Sequence, residues 1–235
     1  MPPPQCIPET LAQAFSDAQL LDASLSRRLM NYRHHSARLR PDVASAYDAL
    51  VARLEVLEQG AVGPQVGDPM PEFALPDENG TIVTLSSLLQ AGPAVISINR
   101  GHWCPYCRLE LHALAAQFGG IRRSGAKLVS IMPDVAEFTR RFRAEQGLPF
   151  PILSDVDLGY SLLLGLVFWV GPEVRRLYEE LGVDLASFQR NASYFLPIAA
   201  KFIVDIHGTI RAREVNVEFR QRMDPAAILA ALRAL

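Results

Sequence analysis

Two cysteines three positions apart, Cys104 and Cys107, stand in the stretch RGHWCPYCRLEL, residues 100–111, beside a tryptophan, a proline and two histidines. The chain has only three cysteines, so its sulfur chemistry is concentrated in one turn. A β-rich apolar run, Ala94 to Ile98, precedes the stretch, and a helical pattern of Leu109, Leu111, Leu114 and Phe118, ending at Gly119-Gly120, follows it. Cys104 therefore falls at a helix N-terminus and Cys107 one turn further in. Unsatisfied N–H groups and the positive end of the helix dipole stabilise a thiolate there, lowering a thiol pKa from ~8.5 into the range ~3.5–7.5. This makes Cys104 the nucleophile. Cys107, less exposed on the same face, can attack a sulfur-bound product on Cys104 and close an intramolecular disulfide. Pro105 suits the first turn because its missing N–H is not needed there. Trp103 is expected to shield the thiolate on one side while leaving it reachable.

A zinc knuckle of Cys104, Cys107, His102 and His112 is the competing chemistry. Zinc sites draw their second ligand pair from a dozen or more residues away, whereas these four lie within eleven residues, so redox work is favoured and no metal or cofactor is expected. The histidines are expected to hydrogen-bond locally, with proton shuttling by His102 the lesser alternative. Cys6, in a proline-rich tail, is expected to be an exposed thiol without a role.

The elements that must position the pair follow from periodicity. Apolar residues from Leu11 to Leu29 form one helical stripe over Glu9 to Met30, and a second, Val43 to Leu57, follows a break at Arg40-Pro41. GAVGPQVGDPMP, residues 60–71, is too rich in Gly and Pro for regular structure and is taken as a linker. It divides a helical extension, residues 1–60, from a main domain, residues 61–235. In that domain PEFALPDENGTIVTLSSLL predicts an extended segment, a turn at Asp77 to Gly80, a strand and a helix starting at Ser86. The run to Ile98, the helix after Cys104, a strand at Lys127 to Ile131, a helix near Asp134, the segment PFPILSD and a helix from about Asp157 alternate as βαβ units do. KFIVDIHGTIRAREVNV predicts a hairpin at His207-Gly208, and Asp224-Pro225 opens a last helix over Ala226 to Leu235.

Twenty-three Lys and Arg against 25 Asp and Glu leave a formal charge of −2, which gives no electrostatic case for nucleic acid or an anionic membrane. The basic clusters Arg122-Arg123 and Arg140-Arg141-Arg143 are expected on solvated helix faces. MPPPQCIPET lacks a basic and an apolar leader region, and the longest apolar stretch, around Leu162 to Val170, is far short of the ~20 residues that span a bilayer. The expected location is the cytoplasm, where a close cysteine pair points to redox work or metal.

WCPYC at the end of a strand resembles the thioredoxin superfamily, and GDPMPEFALPDENGTIVTLSSLL, AVISINRGHWCPYCRLELHAL, FPILSD and KFIVDIHGTIR, in that order, resemble its AhpC/TSA branch, specifically bacterial peroxiredoxin-like members with an RGxWCPYC signature. The resemblance implies a thioredoxin-like α/β fold, a central mixed sheet flanked by helices, with the helical extension added. It implies thiol-based reduction of peroxides or disulfides by Cys104 and Cys107, with electrons returned by a thioredoxin- or glutathione-type donor. Two positions depart from the family. In its Pro-x-x-x-Thr-x-x-Cys pattern, counted back from Cys104, the anchors become Ser97 and Gly101. The strand facing the active site carries Ala199 where the relatives have a proline or arginine, with Pro197 two residues earlier. Arg100, with His102 behind it, is the nearest candidate to stabilise a leaving oxygen, against an equal alternative in which Arg100 is exposed and salt-bridged. Besides a peroxidase, the sequence admits a glutaredoxin-like disulfide reductase, and a noncatalytic protein whose N-terminal helices pair with a second copy in a homodimer.

Overall fold

Three helices open the computed structural model, which describes residues 9–235: α1 (Leu11–Leu20), α2 (Leu25–Leu39) and α3 (Pro41–Val56). Cys6 lies outside the described residues. The single helix expected over Glu9 to Met30 is two, broken at Leu21 to Ser24. Leu21 turns extended, Ser24 Oγ accepts the Arg27 N–H to start α2, and Arg28 Nε donates to the Leu21 and Ala23 carbonyls that the break leaves without helical partners. The next break falls at Arg40, as expected, with Pro41 the first residue of α3.

The Gly- and Pro-rich segment has no helix or strand but is tied to the body, the Gly67 N–H donating to the Ile210 carbonyl and the Met70 N–H to that of Gly208. β1 (Ala74–Pro76) and β2 (Ile82–Thr84) pair antiparallel, and α4 (Leu85–Leu89) starts on the cap of Thr84. Then come β3 (Ala94–Ile98), α5 (Pro105–Arg123), β4 (Lys127–Met132), α6 (Ala136–Gln146), β5 (Ile152–Ser154) and α7 (Gly159–Leu163). β6 (Val167–Trp169), α8 (Pro172–Glu180), α9 (Leu185–Gln189) and β7 (Phe195–Pro197) follow. The last elements are β8 (Ala200–Val204), β9 (Ile210–Val215) and α10 (Pro225–Arg233).

The central sheet has the order β5-β4-β3-β8-β9; β3, β4 and β5 run parallel, and β8 is antiparallel to both its neighbours. Every residue of β3 is buried, because both faces of the sheet are covered. Val95 and Ile203 face one core with Leu111, Leu114 and Ile228. Ala94, Ile96, Ile98, Phe202 and Val204 face the other, with residues of α3, α7 and α8. This is the mixed, helix-flanked sheet expected from the sequence. The stripe residues Ala18, Leu25 and Leu29 of the extension, and beside them Tyr32 and Val51, are buried in a third cluster with Tyr106, Cys107, Leu109 and Phe219.

The structure goes beyond the sequence reading at three places. The helix after Cys104 continues through Gly119-Gly120 to Arg123, and Gly120 lets α10 approach it; a Cβ on Gly120 would stand 3.2 Å from Leu229 Cδ2. Arg122, Arg123, Arg140 and Arg141 are exposed as expected, while Arg143, one-third exposed, turns inward to pair with Glu78, which is 2% exposed, and Arg140 Nε donates to the Glu78 carbonyl. Periodicity predicts nothing of β6, α8, α9 or β7, although Val174, Leu177 and Tyr178 lie at helical spacing behind Pro172 and are the buried face of α8.

Candidate active site

β3 and α5 meet at the cysteine pair. Cys104 is the N-cap of α5 in extended conformation, its N–H donating to the Gly101 carbonyl and its carbonyl accepting from the Arg108 N–H, with Pro105 as the first helical residue. Gly101 has φ +149°, and a Cβ there would stand 2.8 Å from Trp103 Cδ1 and 3.1 Å from Asp134 Oδ2. Glycine lets the loop fold the indole back on itself.

Both thiols are free and almost fully buried. Cys104 lines a cavity of about 580 Å³ together with Arg100, Trp103 and residues of α1, α2 and α3; Cys107 does not reach it. Arg100, expected as either a site residue or an exposed ion-pair partner, is 1% exposed and points inward. Its Nη1 lies 4.0 Å from Cys104 Sγ and its Nη2 donates to the Tyr178 hydroxyl. The guanidinium lies 3.8 Å from the Phe219 ring centre, 5.4 Å from that of Trp103 and 5.9 Å from that of Tyr47. Ring faces and a hydroxyl have replaced a carboxylate partner, which corrects the exposed alternative.

Behind Cys107 the charges form a chain. Arg222 Nη2 is 3.7 Å from Cys107 Sγ, Arg222 Nε donates to Glu110 Oε2 at 3.2 Å, and Lys201 Nζ meets Glu110 Oε1 at 2.8 Å. Lys201 also donates to Ser97 Oγ at 2.6 Å, as does Asn99 Nδ2 at 2.9 Å. The Arg100 backbone N–H donates to Cys107 Sγ at 3.4 Å.

Burial pushes the Cys104 thiol up, but a hydrogen bond from Cys107 and the charges of Arg100 and Arg222 outweigh it and bring the thiol down to about 6. Cys107 goes the other way: burial, reinforced by the hydrogen bond to Cys104 and the charge on that sulfur, holds it well above the usual thiol range. The two sulfurs are thus poised apart, one as thiolate and one as thiol.

The four residues of the zinc alternative do not converge. His102 turns away from the sulfurs, Asp134 Oδ2 accepting from its backbone N–H at 2.7 Å and from Nδ1 at 3.0 Å, while its ring packs among Phe138, Phe142 and Phe188. His112 Nε2 meets Gln146 Oε1 at 2.7 Å and Gln19 Nε2 at 3.0 Å. His102 is therefore not placed behind Arg100 as a donor to a leaving oxygen, which corrects that expectation. Ser97 is held by Lys201, Ala199 is buried without a polar group, and Pro197 ends β7 opposite Val167. Sequence reasoning missed Tyr47, Tyr178, Glu110, Phe219, Lys201 and Arg222. Only Glu110, one turn after Cys107 on an apolar helix face, left a local signal.

A buried cysteine pair at a strand-to-helix turn, beside a mixed sheet, defines a thioredoxin-fold thiol oxidoreductase. The AhpC/TSA family model matches residues 66–213, and the chain belongs to that family. A Mycobacterium tuberculosis chain whose name places it among the peroxiredoxins is 33% identical over 152 residues, 65% of this chain and 85% of the relative. The thiol-disulfide oxidoreductase ResA of Bacillus subtilis is 28% identical over 112 residues, 47% of this chain and 58% of its own. The solved structure of peroxidoxin BcpB from Mycobacterium tuberculosis superposes with a TM-score of 0.57 at 22% identity, covering 73% of this chain and 97% of that one. The thioredoxin-like fold is thereby shown, and the chain is an oxidoreductase of the thiol peroxidase or thiol-disulfide class. Among the described residues no helix is long and apolar enough to cross a membrane.

Proposed function

We propose that the chain is a thiol peroxidase. The Cys104 thiolate attacks one peroxide oxygen, the O–O bond breaks, and the other oxygen leaves as an alcohol or water after taking up a proton. Sulfur loses two electrons and becomes a sulfenic acid. Cys107 then attacks Cys104 Sγ, the S–S bond forms and water departs with the Cys107 proton. One thioredoxin-type dithiol or two glutathione-type thiols return two electrons and two protons, and the donor leaves as its disulfide. The observation that carries this reading is the buried guanidinium of Arg100 at 4.0 Å from a cavity-lining Cys104, aimed where negative charge develops on the leaving oxygen. Trp103, packed against Tyr178 over the pair, is the shield of the thiolate. The proposed setting is the cytoplasm, because three cysteines make no even disulfide framework.

Stopped-flow tryptophan fluorescence of the reduced protein with one equivalent of hydrogen peroxide tests it. A fast second-order change is expected to vanish in Cys104→Ser and persist in Cys107→Ser, where sulfenic acid accumulates. The family's Pro-x-x-x-Thr-x-x-Cys spacing, counted instead from Cys107, puts Cys104 in the hydroxyl slot, so the opposite pattern would exchange the two roles. A change at the rate of a free cysteine, with rapid reaction toward a mixed disulfide, would favour the second reading, a thiol-disulfide reductase. That reading is supported by the CPYC tetrad and the relation to ResA. A reduction potential near the glutaredoxin range, about −200 to −230 mV, would agree with it. The noncatalytic homodimer reading rests on the helical stripes of the extension, of which Ala18, Leu25 and Leu29 are buried in one cluster with Tyr106 and Leu109.

A further inference from the structure

The cavity over Cys104 is not built by the family's core alone. Half of its lining residues come from α1, α2 and α3, including Phe15, Tyr32 and Tyr47, which line it together with Phe219 and Cys104. At about 580 Å³ it is far larger than hydrogen peroxide requires and lies within the range of pockets that enclose organic ligands. Its walls are mainly aliphatic and aromatic, and its charged lining is five arginines against one carboxylate, Asp48.

These arginines are not equivalent. Arg33 and Arg220 share Asp48 and Glu218, Arg40 is held by Asp42 and Glu180, and Arg100 is engaged by Tyr178 and the sulfur. Arg108, one turn along α5 from Cys104, is different. Its guanidinium lies 4.6 Å from the Phe15 ring centre, its Nε is buried without a partner, and among the described residues no carboxylate lies within the 4.0 Å of an ion pair, Glu145 acting on it only from farther away. A half-buried cation over an aromatic ring, with its Nε donor unfilled, is a seat for an acidic group.

We propose that the N-terminal helices are the substrate-selecting part of this protein. They close the approach to Cys104 into an apolar chamber that takes an organic molecule with a hydrophobic body and one carboxylate, the carboxylate seated on Arg108 and the body against Phe15, Tyr32 and Tyr47. Resting on the peroxidase reading, the substrate is a hydroperoxide of a long-chain carboxylic acid, which the chamber distinguishes from its neutral ester.

Binding can be read apart from the chemistry. Full-length Cys104→Ser protein, which lacks the thiol that lines the chamber, is titrated with dodecanoate and with methyl dodecanoate by calorimetry, with Trp103 fluorescence as a second signal. Dodecanoate is expected to bind saturably and at least tenfold tighter than the ester, a preference that Arg108→Gln removes and that Ala12→Trp, which fills the chamber from its exposed rim, abolishes together with binding. Equal affinity for acid and ester, no binding of either, or a preference unchanged by Arg108→Gln would each overturn the proposal. In the wild-type protein the hydroperoxide of linoleic acid should outpace both its methyl ester and hydrogen peroxide. If no peroxide reacts faster than with a free cysteine while dodecanoate still binds, the peroxidase reading fails and the chamber stands.

Discussion

An arginine buried against Phe219, Trp103 and Tyr47 has lost its hydration shell, and what replaces it is ring faces, the Tyr178 hydroxyl and a sulfur 4.0 Å away. Its charge persists, since guanidinium does not lose its proton in proteins, and it favours the thiolate of Cys104. Because that thiol lies at about 6, the peroxide rate should rise with pH through about 6 and stay flat above it, where a free thiol would still be gaining up to ~8.5. The same depressed value stabilises the reduced fold fully above ~8.5, and that contribution is lost as pH falls to about 6. Arg100→Met should move the kinetic inflection upward by roughly one unit or more and slow the reaction at pH 7 by about 10²-fold, measured by stopped flow across pH. An inflection unmoved by that substitution would remove Arg100 from the site. Glu110 poses the opposite case: it is a buried carboxylate answering two buried cations, Lys201 and Arg222. Glu110→Gln leaves both half-paired and should cost about 3–5 kcal/mol in urea unfolding, with the Cys107 environment disturbed through Arg222.

At the scale of elements, α5 does two jobs with its two ends. Its N-terminus presents Cys104, and its far end accepts α10 through Gly120, where a Cβ would stand 3.2 Å from Leu229. Gly120→Val should overpack this contact and lower stability by about 1–3 kcal/mol, seen as a shifted denaturant midpoint with peroxide chemistry at Cys104 retained. Periodicity places the apolar face of α5 correctly, yet Gly119-Gly120 carries the signature of a helix end. A local rule counts the poor helix propensity of glycine, whereas the partner helix repays it through close approach. Likewise the break at Leu21 to Ser24 is hidden inside one apolar stripe, because the spacing on both sides continues and the caps use Ser24 and Arg28, which also occur inside helices.

For the whole molecule, the extension and the body share a core. Leu25, Leu29 and Tyr32 of α2 and Val51 of α3 bury Tyr106, Leu109 and Phe219, and Tyr106 stacks edge-on against both Tyr32 and Phe219. Removing residues 1–60 should expose that apolar face, so the truncated protein is expected to bind a hydrophobic dye, self-associate and melt lower than the full chain. The intact chain should unfold in one transition by far-ultraviolet dichroism and tryptophan fluorescence alike. A truncated protein that stays monomeric with an unchanged melting temperature would show that the helices add nothing to the body.

The mixed sheet, the hairpin at Gly208 and the position of Cys104 ahead of a helix were legible in the sequence, because each depends on patterns a few residues long: buried β-branched runs, a turn glycine, a proline at the first helical position. The seats of charge were not. Arg222 meets Cys107 and Lys201 meets Glu110 across more than ninety residues of chain, and Tyr178 reaches Arg100 from a helix that periodicity left unassigned. Arg100 itself is the clearest instance. Its local sequence suits a solvent-exposed ion pair and a buried site residue equally well, and only the convergence of α3, α8 and the loop before α10 supplies the rings that make burial of its charge affordable and turn it toward the sulfur.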